Sequence, residues 1–169
     1  MALREKARAI LQPHQLGVGL PGGAKAAAHA ARLLLINSGR GIVKLDFCNA
    51  FNELDRSALI NAVDRLIPEM GLFVRSCYVE PTTRDLDGHT ISSQRGVQQD
   101  PLGPLLFAIG IEKLSSPPRC KFGVWYLDDG TVGGEAEEVC AEVSRIRECA
   151  TSLGLALSSK ETAGFGTRQ

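Results

Sequence analysis

The sequence predicts an α+β fold, a small antiparallel sheet with helices packed on one face, and three stretches predict it. Lys121 to Gly134, KFGVWYLDDGTVGG, runs from Phe122, Val124, Trp125, Tyr126 and Leu127 into Asp128-Asp129-Gly130 and then Thr131-Val132. That is a β-hairpin pattern with two carboxylates at its tip. Gly41 to Asn52, GIVKLDFCNAFN, is a short apolar strand of Ile42, Val43 and Leu45 ending in Asp46, after which Phe47, Ala50 and Phe51 begin a helical spacing. Glu135 to Ser152 sets Val139, Val143, Ile146 and Ala150 on one face, as a surface helix packed on a sheet does.

The remaining elements follow in chain order. The glycines of Gly17 to Gly22, with Pro21, punctuate the chain before an alanine-rich helix from about Gly23 to Ile36. Phe51, Leu54, Ala58, Leu59, Ala62, Val63 and Leu66 keep helical spacing until Pro68 stops it. Leu72, Phe73 and Tyr78 predict a further short helix ending at Pro81, and Thr82 to Ser93 carries Asp87-Gly88 between extended runs, a hairpin signal. Asp100-Pro101 predicts a helix start, with Asp as N-cap, opening an apolar helix through Leu114. A last strand is predicted from Leu153 to Leu157, and the Gly/Thr-rich end after Glu161 is predicted to fray.

Length and composition bound the function. A chain of 169 residues is one domain by prior and buries a sizeable core. Cys48, Cys77, Cys120, Cys140 and Cys149 show no C-x-x-C spacing, which argues for reduced thiols in an intracellular compartment, nucleus or cytoplasm, and against a zinc site or disulfide framework. No apolar run reaches membrane-spanning length, and the first ten residues do not read as a signal peptide. Net charge is zero but uneven: through Lys44 seven Lys/Arg face one acid, Glu5. A basic entrance beside an acidic centre suits a template groove, although a solvated helix face accounts equally well for Arg4, Lys6 and Arg8 alone.

The chemistry sits in the aspartates. Adjacent carboxylates repel one another and are depleted in strands, so Asp128 and Asp129 call for a compensating cation, and hard, oxygen-preferring Mg²⁺ or Mn²⁺ suits them. A carboxylate at the end of a second strand, Asp46, can face that turn across a sheet. Three such groups fit a two-metal site, whose ions sit ~3.5–4 Å apart and clamp the attacking and leaving oxygens of a phosphoryl transfer. The competing reading of the tip alone is an ordinary polar turn, since Asp-Gly is a favoured hairpin dipeptide. Gly17-Val18-Gly19-Leu20-Pro21-Gly22 is a literal G-x-G-x-x-G, but the charged, proline-broken LREKARAILQPHQL before it holds no buried strand, which argues against a dinucleotide-binding unit.

The strand ending in Asp46 with an aromatic five positions on, followed by Tyr126-Leu127-Asp128-Asp129, resembles the palm of a reverse transcriptase of the non-LTR retrotransposon and group II intron type. Arg95 to Phe107, RGVQQDPLGPLLF, is similar to that family's third palm motif, and Leu153 to Lys160, LGLALSSK, resembles the fourth. PHQLGVGLPGGAKAAAHAARLL resembles the segment preceding the first aspartate, on the fingers side of the template path. Four ordered motifs are far more specific than one. The resemblance implies a polymerase palm over residues 41–160, a partial fingers-side segment over 1–40, a tail over 161–169 and no thumb.

It also implies roles. Asp46 and Asp128 resemble the ligands of two Mg²⁺ or Mn²⁺ ions, with the Leu45 or Phe47 carbonyl as a further oxygen and Asp129 as the supporting carboxylate. Phe51 matches the aromatic that packs under the sugar of the incoming nucleotide and disfavours a 2′-hydroxyl; its alternative is a plain core residue. Gln99 resembles the nucleotide-facing glutamine, Phe47 and Gly96 are further nucleotide-binding candidates that the motifs imply, and Lys160 resembles the lysine that protonates or neutralises the leaving pyrophosphate. The implied partners are an RNA template, a DNA primer and deoxynucleoside triphosphates, with no membrane, and the missing fingers and thumb are expected from other segments. Where the family carries a glycine after the glutamine, this chain runs directly from Gln99 to Asp100-Pro101, which shortens the loop by up to ~3.5 Å. The competing function class is a non-catalytic retroelement remnant that binds nucleic acid or protein.

Overall fold

A computed structural model describes residues 3–38, 41–97, 101–158 and 163–165. Along the chain the elements are α1 (Leu3–Leu11), α2 (Gly23–Ser38), β1 (Gly41–Leu45), α3 (Ala50–Glu53), α4 (Arg56–Leu66), a 3-10 turn at Pro68–Met70, α5 (Gly71–Tyr78), β2 (Thr82–Leu86), β3 (His89–Ser93), α6 (Gly103–Gly110), β4 (Phe122–Tyr126), β5 (Asp129–Gly134), α7 (Ala136–Ser152) and β6 (Ala163–Phe165). The main sheet has the order β4-β5-β1-β6 with every pair antiparallel, and β2-β3 forms a separate hairpin. This is the α+β fold with a small antiparallel sheet that the sequence predicts, with the difference that helices cover both faces of the sheet, α6 and α7 on one and α2 on the other.

Alternation along the strands sorts the side chains between two faces. Leu45, Trp125 and Val132 turn inward to a core shared with Leu106 and Phe107 of α6 and Val139, Ile146 and Ala150 of α7. The opposite face carries Lys44, Val124, Tyr126, Asp129 and Thr131, and α2 crosses it with Ala24, Ala27, Ala28 and Ala31, leaving a cavity of about 230 Å³. Close approach there depends on small residues: a Cβ on Gly133 would lie 2.5 Å from Leu34 of α2.

Two predicted helices differ from the sequence expectation. The helix predicted from Phe51 to Leu66 is two helices, because Leu54 leaves the helical region at ψ 126° and Asp55 starts a new helix, its carboxylate accepting from Ala58 N–H at 2.8 Å. The helix predicted from Pro101 begins at Gly103 behind Leu102. Pro104 explains this: a helix starting at Pro101 would require an N–H from position 104, whereas a start at Gly103 puts the proline where no donor is needed. The same helix stops at Gly110 rather than Leu114, and the residues after it continue as turns. Asp100, the expected N-cap, lies outside the described residues.

The C-terminal end also departs from expectation. Of the strand predicted from Leu153 to Leu157, Leu153 and Gly154 form the turn that closes α7, Gly154 at φ +76°, and the residues after them make only a bridge, Phe47 to Leu157, with Cys48 N–H donating to the Ala156 carbonyl and Ser158 N–H to that of Asp46. The strand that pairs with the free edge of β1 is β6, within the stretch predicted to fray. Three residues, two of them alanine and glycine, carry little local strand signal, so pairing with β1 decides.

Candidate functional site

The site forms where β1 runs out beside the β4-β5 turn. Leu45 pairs with Gly130 and Tyr126 with Asp129, so Asp46, the residue after β1, falls level with Asp129, beside the turn residues Leu127 and Asp128. Leu45 and Phe47 are 0% and 3% exposed, the Phe47 ring stacked on Trp125 at 5.8 Å. With both neighbours turned into the core, alternation sends the Asp46 side chain to the opposite face, the face of Lys44. Two carboxylates eighty-two positions apart in sequence are thereby brought to one end of the sheet.

Their charges are felt. Burial pushes the Asp128 carboxyl above its usual range, its own backbone amide pulls it back, and the charges of Asp129 and Asp46 add to the rise. Lys44 opposes it weakly from its position 3.2 Å from the Asp129 carboxylate. Asp129 thus has a partner of its own, in a pair about half exposed on both sides. Among the described residues no group of three or more His, Cys, Asp or Glu forms a ready-made metal cage. What the site offers is carboxylate oxygen, the donor type that hard divalent cations take.

The turn itself is strained. Leu127 has φ +55°, a left-handed conformation that costs a non-glycine residue about 1–3 kcal/mol, and of the two turn residues only the first has positive φ. This is the pattern of a type II′ hairpin, where glycine is the usual occupant. Gln15, 0% exposed, reaches it: its Oε1 accepts from Leu127 N–H at 2.8 Å and its Nε2 donates to the Leu127 carbonyl at 3.1 Å. Nothing local in PHQLG announces a partner so far along the chain, so this residue was not legible as part of the site.

The other expected site residues divide. Phe51 is half-buried and stacks on Phe107 at 4.3 Å, with its ring packed against the core from the edge. The Phe47 ring is buried and stacked on Trp125, so that its backbone is the part that borders the site. Gly96 has φ +78°, and a Cβ there would lie 2.6 Å from the Phe51 carbonyl oxygen, so its role is to let this loop pack onto α3. Its carbonyl accepts from Arg56, a buried arginine that also donates to the Glu80 carbonyl and to Thr82 Oγ1 and lies 5.5 Å over the Tyr78 ring. Arg56 ties the β2-β3 hairpin to the site loop, and sequence reading missed it too. Gln99 and Lys160 lie outside the described residues.

Comparison of the whole fold with solved structures is decisive where sequence comparison is silent. No protein-family model matches the chain, and no curated protein matches it by sequence. Its fold matches apo telomerase from Candida tropicalis with a TM-score of 0.71 at 10% identity over 98% of this chain and 36% of that one. It matches telomerase from Candida albicans, solved in complex with a TWJ fragment of telomeric RNA, with a TM-score of 0.68 at 14% identity over 99% and 34%. The chain has a reverse-transcriptase-like fold. It spans about a third of the length of these telomerase chains. The end of β1 and the β4-β5 turn, which carry Asp46 and Asp128, are neighbours in this fold. Among the described residues no helix is long and apolar enough to cross a membrane.

Proposed function

We propose that this chain is the palm of an RNA-directed DNA polymerase of the non-LTR retrotransposon or group II intron type, acting by two-metal nucleotidyl transfer. The observation that carries the reading is the meeting of Asp46 and Asp128, distant in sequence, at the mouth of the sheet, where their mutual repulsion is what a divalent cation would relieve. Asp46 and Asp128 would hold Mg²⁺ or Mn²⁺, with a backbone carbonyl of Leu45 or Phe47 adding an oxygen, and Asp129, paired with Lys44, would act as the supporting charge. When bound, such ions stabilise the attacking and leaving oxygens of the phosphoryl transfer. The chain's own part is positional: β1 and the β4-β5 turn set the two carboxylates.

RNA template, DNA primer and deoxynucleoside triphosphates are the partners this reading requires. The test is primer extension on an RNA template with deoxynucleotides and Mn²⁺, comparing the chain with Asp128→Asn. Loss of a liganding carboxylate removes a transition-state contact and is expected to lower incorporation by on the order of 10²-fold or more. Extension undiminished in Asp128→Asn would overturn the reading. Binding of primer-template with no extension under any metal would leave a non-catalytic nucleic-acid module instead.

A further inference from the structure

We infer that Gln15 is a positioning residue for the carboxylate site, its buried amide holding Leu127 in the left-handed conformation and so aiming Asp128. This rests on the polymerase reading only for what Asp128 is aimed at; the hold on the turn stands on geometry. One side chain satisfies both backbone groups of one residue, Leu127 N–H at 2.8 Å and Leu127 carbonyl at 3.1 Å, and its oxygen also accepts from Gly17 N–H at 3.0 Å. A primary amide presents a separate acceptor atom and donor atom on one neutral, planar head, the spacing needed to meet an N–H and a carbonyl of the same residue, and asparagine is a methylene shorter. Leu127 can leave its strained conformation only by turning those peptide groups away from Gln15, and Asp128, next in the chain, turns with them.

The neighbours of Gln15 make the hold rigid. Trp125 N–H donates to the His14 carbonyl and Leu16 N–H to the Trp125 carbonyl, both at 2.7 Å, so the Gln15 segment lies as a parallel bridge along β4. Gly17 leaves no clearance, since a Cβ there would lie 2.7 Å from Leu127 N and 2.8 Å from its Cγ. Buried amides are often no more than satisfied core groups, and such a role predicts a change in stability alone. A positioning role predicts a change in what the turn binds.

The experiment uses the full chain, Mn²⁺ alone as the probe, and two variants. Gln15→Met keeps length and burial but removes both hydrogen bonds to Leu127 and the one from Gly17; Gly17→Ala keeps the Gln15 side chain and presses on Leu127 and, at 3.1 Å, on the Gln15 Oε1. The amide exchange of Leu127 and the dissociation constant for Mn²⁺, read from the paramagnetic signal of the free ion, are measured on samples whose circular dichroism shows them folded. Groups outside the ligand shell that orient ligands are worth about 10–100-fold in metal affinity, so Mn²⁺ binding is expected to weaken at least about tenfold in both variants. The Leu127 amide is expected to lose protection in Gln15→Met. Should Gln15→Met fail to fold, Gly17→Ala decides. Mn²⁺ affinity within about twofold of the parent in a folded variant, or a Leu127 amide still protected in Gln15→Met, would overturn the inference. A parent chain that binds no Mn²⁺ would instead remove the metal reading, and exchange at Leu127 would then decide alone whether Gln15 holds the turn.

Discussion

At the scale of the residue, Asp128 carries a conflict that can be measured. Its carboxyl is held above its usual range by burial first and by the neighbouring aspartates after it, so the folded chain binds this proton more tightly than the unfolded one. The stability this contributes is complete below the unfolded carboxylate pKa of about 4 and is lost as pH rises through the raised folded value. In the presence of a chelator, Asp128→Asn is therefore expected to melt above the parent at pH 7, the gap closing as the pH falls below the carboxylate range. Equal melting temperatures at both pH values would show that the repulsion is negligible. Phe51 poses a different question, because its ring both stacks on Phe107 and stays partly open. Phe51→Val is expected to admit ribonucleotides about tenfold more readily relative to deoxynucleotides, by emptying space a 2′-hydroxyl needs, at a cost of about 1–3 kcal/mol in stability. Unchanged sugar preference with activity retained would make Phe51 a core residue only.

At the scale of the element, α7 is pinned by an ion pair inside the fold. Burial alone would raise the Glu142 carboxyl, but hydrogen bonds from Arg145 and from the Arg119 backbone amide outweigh it and leave it lowered. Glu142 is 1% exposed, and Arg145 runs on to the Leu114 carbonyl, so the pair joins α7 to the turns after α6. Glu142→Ala strands Arg145, whose guanidinium keeps some access to water, and is expected to cost about 2–3 kcal/mol in urea unfolding. Since the carboxyl is depressed in the fold, its contribution is present above the unfolded glutamate range and is lost as pH falls through the folded value. The N-terminus of α4 is simpler: Asp55→Ala removes the cap to Ala58 N–H and is expected to cost about 1 kcal/mol, measured the same way. A loss below experimental error would assign the break between α3 and α4 to Leu54 instead.

At the scale of the whole molecule, β1 is the organising strand, flanked by β5 on one side and β6 on the other. Everything at the site depends on its register, since a slip of one residue against β5 would turn Asp46 to the core and Leu45 to solvent. A ligand that binds across the two carboxylates links β1 to the β4-β5 turn and stabilises the fold by mass action, about 2.7 kcal/mol at a hundred times its dissociation constant. Mn²⁺ is accordingly expected to raise the melting temperature of the parent and to leave that of an Asp46→Asn, Asp128→Asn double variant unmoved. An equal rise in both would place the bound ion elsewhere.

The sequence by itself determined the identity and order of most elements, because strands and helices of this length write their periods locally: Ile42-Val43-Leu45, the β4-β5 hairpin and α7 are each legible within one stretch. It also singled out Asp46, Asp128 and Asp129, since adjacent carboxylates in an aromatic hairpin are costly and an aspartate closing an apolar strand is unusual. What only the tertiary structure decided was every relation across the chain. The pairing of β1 with β5 that unites Asp46 with Asp128, the addition of β6 to the opposite edge, the burial of the Phe47 ring and the partnership of Lys44 with Asp129 all depend on which surfaces meet. Gln15 is the sharpest case: an unremarked polar residue in a loop becomes the buried support of a turn 112 positions away, because hydrogen-bond satisfaction in a core is a property of the packed fold and leaves no local pattern to read.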